Sequence, residues 1–353
     1  MKKKLLLLTF LATFTFAAAN AQDTTQTDPP LTISGSVDTY FKYDFSQHNN
    51  LPTSFASDQN SISIGMIDLA LKKKVGKASF VGELSFGPRG QSQSIPNAVG
   101  EYKEDFNSFH IQNLYVSYDV TDKFNLTGGY MATFMGYEVI SPVGNFNYST
   151  SYLFTNGPFQ NPGFKATYAF NSKVSLMAGI FNDSWNLYTS VNKVNTFGAQ
   201  LMVAPVEGWT AYLNLLTGKL SGTEFDLTTS YQITNMFKLG LNAATFTPAD
   251  VIGTGGFTGV ALYPQVGVSK DVTIGLRGEY FKTKNGTYET YGPAPGSSVV
   301  AATLTANIKA GPLTLIPEFR VDNNKNDTDG FTTKSGALTK TASQFVLAAV
   351  YAF

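Results

Sequence analysis

The chain has 353 residues, of which 43% are hydrophobic, 14% aromatic and only 14% charged, with 32 Gly and no Cys. Such a composition excludes a disordered chain, is unlike that of an average soluble enzyme, and leaves neither a disulfide framework nor a lipidated cysteine. Basic and acidic residues balance at 25 each; without Lys2, Lys3 and Lys4 the count is 22 against 25, a mildly acidic chain that argues against nucleic acid as a partner.

The first element is a basic start, MKKK, followed by the apolar run LLLLTFLATFTFAAA and small residues around Ala19-Asn20-Ala21. This pattern predicts a secretory signal peptide over residues 1–21, cut before Gln22, and a polar leader over residues 22–30. No later stretch is apolar for the roughly 20 residues that a membrane-spanning helix requires.

From Leu31 onward the hydrophobic period is two. Leu31, Ile33, Val37, Phe41, Tyr43 and Phe45 fall on one face, and Ser34, Ser36, Asp38, Lys42 and Asp44 on the other. About sixteen such runs follow one another, starting near 31, 61, 78, 108, 123, 163, 173, 196, 208, 223, 236, 258, 271, 298, 312 and 339. Charged residues keep, almost without exception, to the parity opposite the apolar one, as expected if that apolar face meets lipid, where a Lys or Arg would cost about 2–4 kcal/mol at mid-bilayer.

A soluble β-sandwich also alternates, but its connections are not sorted by length. Here one set of links is short (VGKA, VTDK, FNSK, APVEG, ITNM, SKDV, KAGP), and most of the others are long: 46–59, 88–105, 136–162, 184–195, 247–257, 284–297 and 323–338. Short periplasmic turns opposite long extracellular loops predict an all-β fold, a closed antiparallel transmembrane β-barrel of about 16 strands spanning residues 31–353. Closure follows because a sheet edge in hydrocarbon would leave backbone groups unpaired. Pro264 and Pro317 fall inside two of the runs and predict bulges there.

The chain ends on QFVLAAVYAF, an alternating strand finished by Tyr351 and Phe353. It is similar to the carboxy-terminal signature of bacterial outer-membrane proteins, which implies recognition by the barrel-assembly machinery.

Chemistry is sparse. Catalysis by an activated nucleophile needs a base beside it, and the only two His, His48 and His110, have no Ser motif with them. Two His without Cys make a poor metal shell. The segment Asp322–Gly330 has Asp327 and Thr333 where an EF-hand loop needs Gly and Glu, and the glycines of 253–259 lack a following helix. The expectation is no catalytic residue, no cofactor and no bound metal.

The barrel interior remains. About sixteen strands enclose a lumen wide enough for water. Its predicted inner face carries seven basic residues, Lys42, Lys72, Lys165, Lys238, Arg277, Lys309 and Arg320. Against them stand ten acidic ones, Asp38, Asp44, Asp68, Glu83, Asp119, Glu224, Asp226, Glu279, Glu318 and Asp322, so weak selectivity leaning toward cations is expected.

The segment GYEVISPVGNFNYSTSYLFTNGPFQNPGFKATYAF, residues 136–170, resembles the shared segment of the putative β-barrel porin-2 family, the OmpL-like outer-membrane proteins. The resemblance rests on Gly136, Glu138, Asn145-Phe146-Asn147, Ser149, Ser151, Pro158, Gly163 and Tyr168; members often carry Arg between the two serines, where this chain has Thr150. It implies a porin of the Gram-negative outer membrane, passing small polar solutes or ions passively, with membrane lipid as its surroundings. A substrate-specific transporter is the alternative, ahead of a barrel enzyme or a surface adhesin. A homotrimer is an open expectation by analogy with sixteen-strand porins, and no stretch of the sequence identifies an interface.

By the same analogy, 136–163 is the third extracellular loop and bends inward, placing Glu138, Asn145, Asn147 and Tyr148 in the lumen opposite Arg277 and Arg320 as a transverse field. The competing expectation is a lid on the rim.

Overall fold

The computed structural model describes residues 28–51, 53–88, 110–183, 190, 192–326 and 330–353. The expected signal peptide lies outside the described residues. The first half of the sheet comprises β1 (Thr32–Asp44), β2 (Ser61–Val75), β3 (Ala78–Phe86), β4 (His110–Thr121), β5 (Phe124–Tyr130), β6 (Gly163–Asn171), β7 (Val174–Asn182) and β8 (Val194–Val203). The second half comprises β9 (Trp209–Gly218), β10 (Gly222–Gln232), β11 (Phe237–Thr247), β12 (Phe257–Gly267), β13 (Val272–Thr283), β14 (Ser298–Ala310), β15 (Leu313–Asn324) and β18 (Thr341–Ala352). A two-residue hairpin, β16 (Phe331–Thr332) with β17 (Leu338–Thr339), sits in the last long loop.

From β1 to β15 each strand pairs antiparallel with its sequence neighbour, β15 pairs with β18, and β18 returns to pair with β1, closing a 16-stranded barrel. The seam is continued by reciprocal backbone bonds between Gly35 and Phe353, both 3.0 Å. No described helix is long and apolar enough to cross a membrane. The strands supply that crossing, because in a closed barrel every ladder group is paired.

The alternation sorts as its period requires. Val300, Leu304 and Ile308 on β14 face outward and are exposed, while Val299, Ala301, Thr303 and Thr305 face inward and are buried. On β1 the buried inward set is Ser36, Asp38, Tyr40, Lys42 and Asp44.

The prolines did not produce the expected bulges. Pro264 remains in the β11 ladder and Pro317 in the β18 ladder, and the far-side pairing resumes in unchanged register after a short gap. A missing N–H deletes one ladder bond, which a strand paired on both flanks tolerates without adding a residue. Among the described residues the pairing register shifts instead at five other places, among them the β1–β2 pair at Val37–Thr39. There Gly65 leaves the room that the Asp38 carboxylate occupies.

One end of the barrel carries the short turns, such as 76–77, 122–123, 172–173 and 311–312. The other carries the longer connections, except that β9 and β10 are joined by residues 219–221 alone. The fifth strand ends at Tyr130, so the third connection on this side, L3, runs over 131–162 and begins five residues before the expected 136.

An Arg in place of Leu304, outward at the middle of β14, is expected to lower stability by about 2–4 kcal/mol in urea titrations in lipid vesicles. Thr167→Arg, at the middle of β6 but on the inner face, is expected to cost far less in the same titration.

Candidate functional site

L3 does not rest on the rim. It enters the barrel and bonds to inward side chains of β1, β10, β13, β14 and β15. Irregular backbone at this depth must find partners for its own N–H groups, since neither water nor a ladder supplies them. Over Tyr148–Phe154 the partners are nearly all carboxylates. Glu318 accepts from the N–H of Tyr148 (2.9 Å) and Ser149 (3.1 Å), as well as from the Ser149 hydroxyl. Glu138, from the loop itself, accepts from the N–H (2.8 Å) and hydroxyl (2.7 Å) of Ser151. Glu279 accepts from the N–H of Tyr152 (3.0 Å) and Leu153 (2.9 Å), which open the short helix α1 (Tyr152–Asn156). The Ser151 hydroxyl then caps that helix by accepting from the Phe154 N–H at 3.0 Å.

Two guanidinium groups take the carbonyls of the same stretch. Arg277 pairs with Glu138 at 2.7 Å and donates to the carbonyls of Ser149 (2.6 Å) and Thr150 (3.3 Å). Arg320 donates to Thr150 O at 2.8 Å and forms a fork onto Asp322 at 2.7 and 2.8 Å. Asp322 also accepts from the Tyr152 phenol at 2.8 Å. Fully buried charges persist only when paired and hydrogen-bonded in this way, because each costs several kcal/mol to remove from water.

Apolar contacts fill the space between these bonds. The Tyr152 ring stacks on Phe281 (5.5 Å), Phe281 on Phe257 (5.5 Å), and Arg320 lies over the Tyr152 ring at 5.2 Å. On the opposite side Tyr148 packs with Tyr40, Ile316 and the inward Val346, Ala348 and Val350 of β18. The first long loop folds down onto L3, with Phe55 against Phe154 at 5.5 Å and Lys42 holding Leu51 O at 2.7 Å.

The expected constriction residues separate. Glu138, Asn147 and Tyr148 are buried: Asn147 donates to Thr305 at 2.7 Å, and the Tyr148 hydroxyl donates to Asp38 at 2.5 Å. Asn145 is turned back on its own loop, bonded to the N–H and C=O of Val139. Of the inward charges, Asp38, Lys42, Arg277, Glu279, Glu318 and Arg320 are buried against L3 or the first loop, so the predicted field across open water is instead a set of direct contacts. Asp68 is buried near Glu83, which accepts from Asn113, and Lys72 is exposed toward the short-turn end. Tyr351 and Phe353 face outward. Thr150, marked in the sequence only as a departure from the Arg that family members often carry, offers the carbonyl that receives both arginines. Among the described residues no group of three His, Cys, Asp or Glu side chains is arranged to hold a metal ion.

Glu318→Gln keeps the shape of the clamp but removes its charge and turns one acceptor into a donor. The Tyr148 and Ser149 amides are then expected to exchange about 10–100-fold faster with deuterium, matching the roughly 1–3 kcal/mol cost of an unsatisfied buried group.

Solved structures with this fold are outer-membrane channels. The channel DcaP of Acinetobacter baumannii superposes with a TM-score of 0.62 at 14% identity, covering 94% of this chain and 99% of that one. An anion-selective porin from Comamonas acidovorans gives 0.60 at 14% identity, covering 92% and 99%. The trimer form of OmpT from Vibrio cholerae gives 0.58 at 12%, again covering 92% and 99%. At such identities the likeness is one of fold. No curated protein sequence matches the chain. The family model described as Putative beta-barrel porin-2, OmpL-like, matches residues 30–353, nearly the whole of the barrel and its inserted loop, and the chain belongs to that family.

Proposed function

We propose that the chain is a passive channel of the bacterial outer membrane for small polar solutes or ions, in which L3 sets the narrowest cross-section. The carrying observation is the placement of the loop at mid-barrel, clamped to the β10–β18 side and to β1. Opposite it, inward residues such as Asn125, Lys165 and Thr167 stay only half-buried, and this wall is the path left to a solute. The loop turns an uncharged surface toward that path: Val139 and Val143 are exposed, and Asn145 is half-buried. Of the ten acidic residues that suggested cation preference, Asp38, Asp226, Glu279, Glu318 and Asp322 are occupied in holding the loop, so selectivity at the narrowing rests on size and hydrogen bonding more than on charge sign.

Family and fold favour a channel over an enzyme. Lipid around the outward belt, recognition of the Tyr351–Phe353 end by the barrel-assembly machinery, and a homotrimer belong to the same reading; cross-linking in native membranes would report the trimer.

Deleting residues 143–157 from the barrel is expected to raise single-channel conductance in planar bilayers, with heat-modifiable gel migration confirming that the barrel has folded. An unchanged conductance from a folded deletion variant would overturn the constriction.

A further inference from the structure

Below L3, toward the short-turn end, a cavity of about 390 Å³ opens between the loop and the inner wall of β8–β10. That volume is at the small end of the roughly 300–1,000 Å³ typical of ligand sites. Building on the channel reading, we propose that this cavity is a subsite for a neutral, polyhydroxylated solute of about disaccharide size or smaller.

The chemistry of the lining selects that class. The wall contributes Gln200, Thr210, Tyr212, Thr228 and Ser230, and the loop contributes Tyr137, with the Phe134 ring beside them. None of the lining side chains is charged. Among the described residues, no hydrogen bond occupies the hydroxyls of Thr210, Tyr212 or Thr228, whereas Gln200 is fixed by bonds to Phe134 O (3.1 Å) and Asn214 (2.9 Å). An ion entering here would lose water and gain no counter-charge, a net cost. A solute rich in hydroxyls exchanges water for hydroxyl and amide partners one for one, and lays its C–H face on an aromatic ring.

The ring is held in place for this. Tyr137 stacks on Tyr263 with centroids 4.4 Å apart and planes 20° from parallel, and its hydroxyl lies beside Ser230. The stack sits over Gly240, where any Cβ would overlap the Tyr137 hydroxyl. The preceding residue, Gly136, turns through a positive φ of 83° and donates its N–H to Asp226 at 3.1 Å. Asp226 in turn accepts from Asn214 (2.6 Å) and Asn242 (2.5 Å), so the edge of the cavity is braced from three strands. The bracing pre-arranges the site, which reduces the ordering cost of binding.

The test has two independent readouts on the intact chain, with maltose as probe. Isothermal titration in detergent micelles is expected to show saturable binding with half-saturation on the order of 1–10 mM, weak enough for release into the flow. In planar bilayers the potassium chloride current is expected to fall with the same concentration dependence. The double variant Tyr212→Phe with Thr228→Val removes two hydroxyls with little change in shape, and is expected to weaken both by about tenfold. A channel that conducts but neither binds maltose nor is blocked by it overturns the subsite alone. Binding that the double variant leaves unchanged overturns its location. Maltose binding by a protein that is silent in bilayers supports the subsite and overturns the channel.

Discussion

The arrangement depends on one constraint, the need of an irregular backbone inside a membrane barrel to have its N–H groups satisfied. Three carboxylates meet it, Glu318, Glu138 and Glu279, by gripping the chain from Tyr148 to Leu153 almost residue by residue. Charged acceptors make stronger bonds than neutral ones, and two arginines that bind the intervening carbonyls keep the accumulated negative charge from being uncompensated. With that stretch held, Tyr148 and Tyr152 can present their rings to two separate apolar clusters, and the first long loop has a floor on which to pack.

Buried charge therefore serves structure where L3 is seated. Buried ion pairs fix the loop against β13–β15, while the wall of β8–β10 offers hydroxyls, an amide and rings. A neutral surface beside an ionic scaffold is a physical route to discrimination by hydrogen bonding, since an ion pair that is already satisfied attracts little else.

The barrel was legible because period two is local: each residue of Ile33–Phe45 declares its face without reference to distant parts of the chain. The runs expected near 61, 78, 163 and 298 begin at those residues. The seating of L3 was not legible, because the partners of Tyr148 and Tyr152 lie more than a hundred residues away along the chain. One sign was present and unread. The inward parity of β18, Ala342, Val346, Ala348 and Val350, is apolar like its outward parity except at Gln344, and a strand largely greasy on both faces announces a dry neighbour on the inside. The proline bulges failed for a related reason, since a local rule about a missing donor says nothing of how much a ladder on the other flank can hold.

The distance between clamp and loop also orders events in time. Ser149 and Tyr152 precede the carboxylates that receive them by 169 and 127 residues, so the loop has no seat until β13 and β15 are in the sheet. Long-range contacts of this kind form late, after the local hairpins. With L3 setting the narrowest cross-section, as proposed, aperture becomes a property of maturation as well as of strand number.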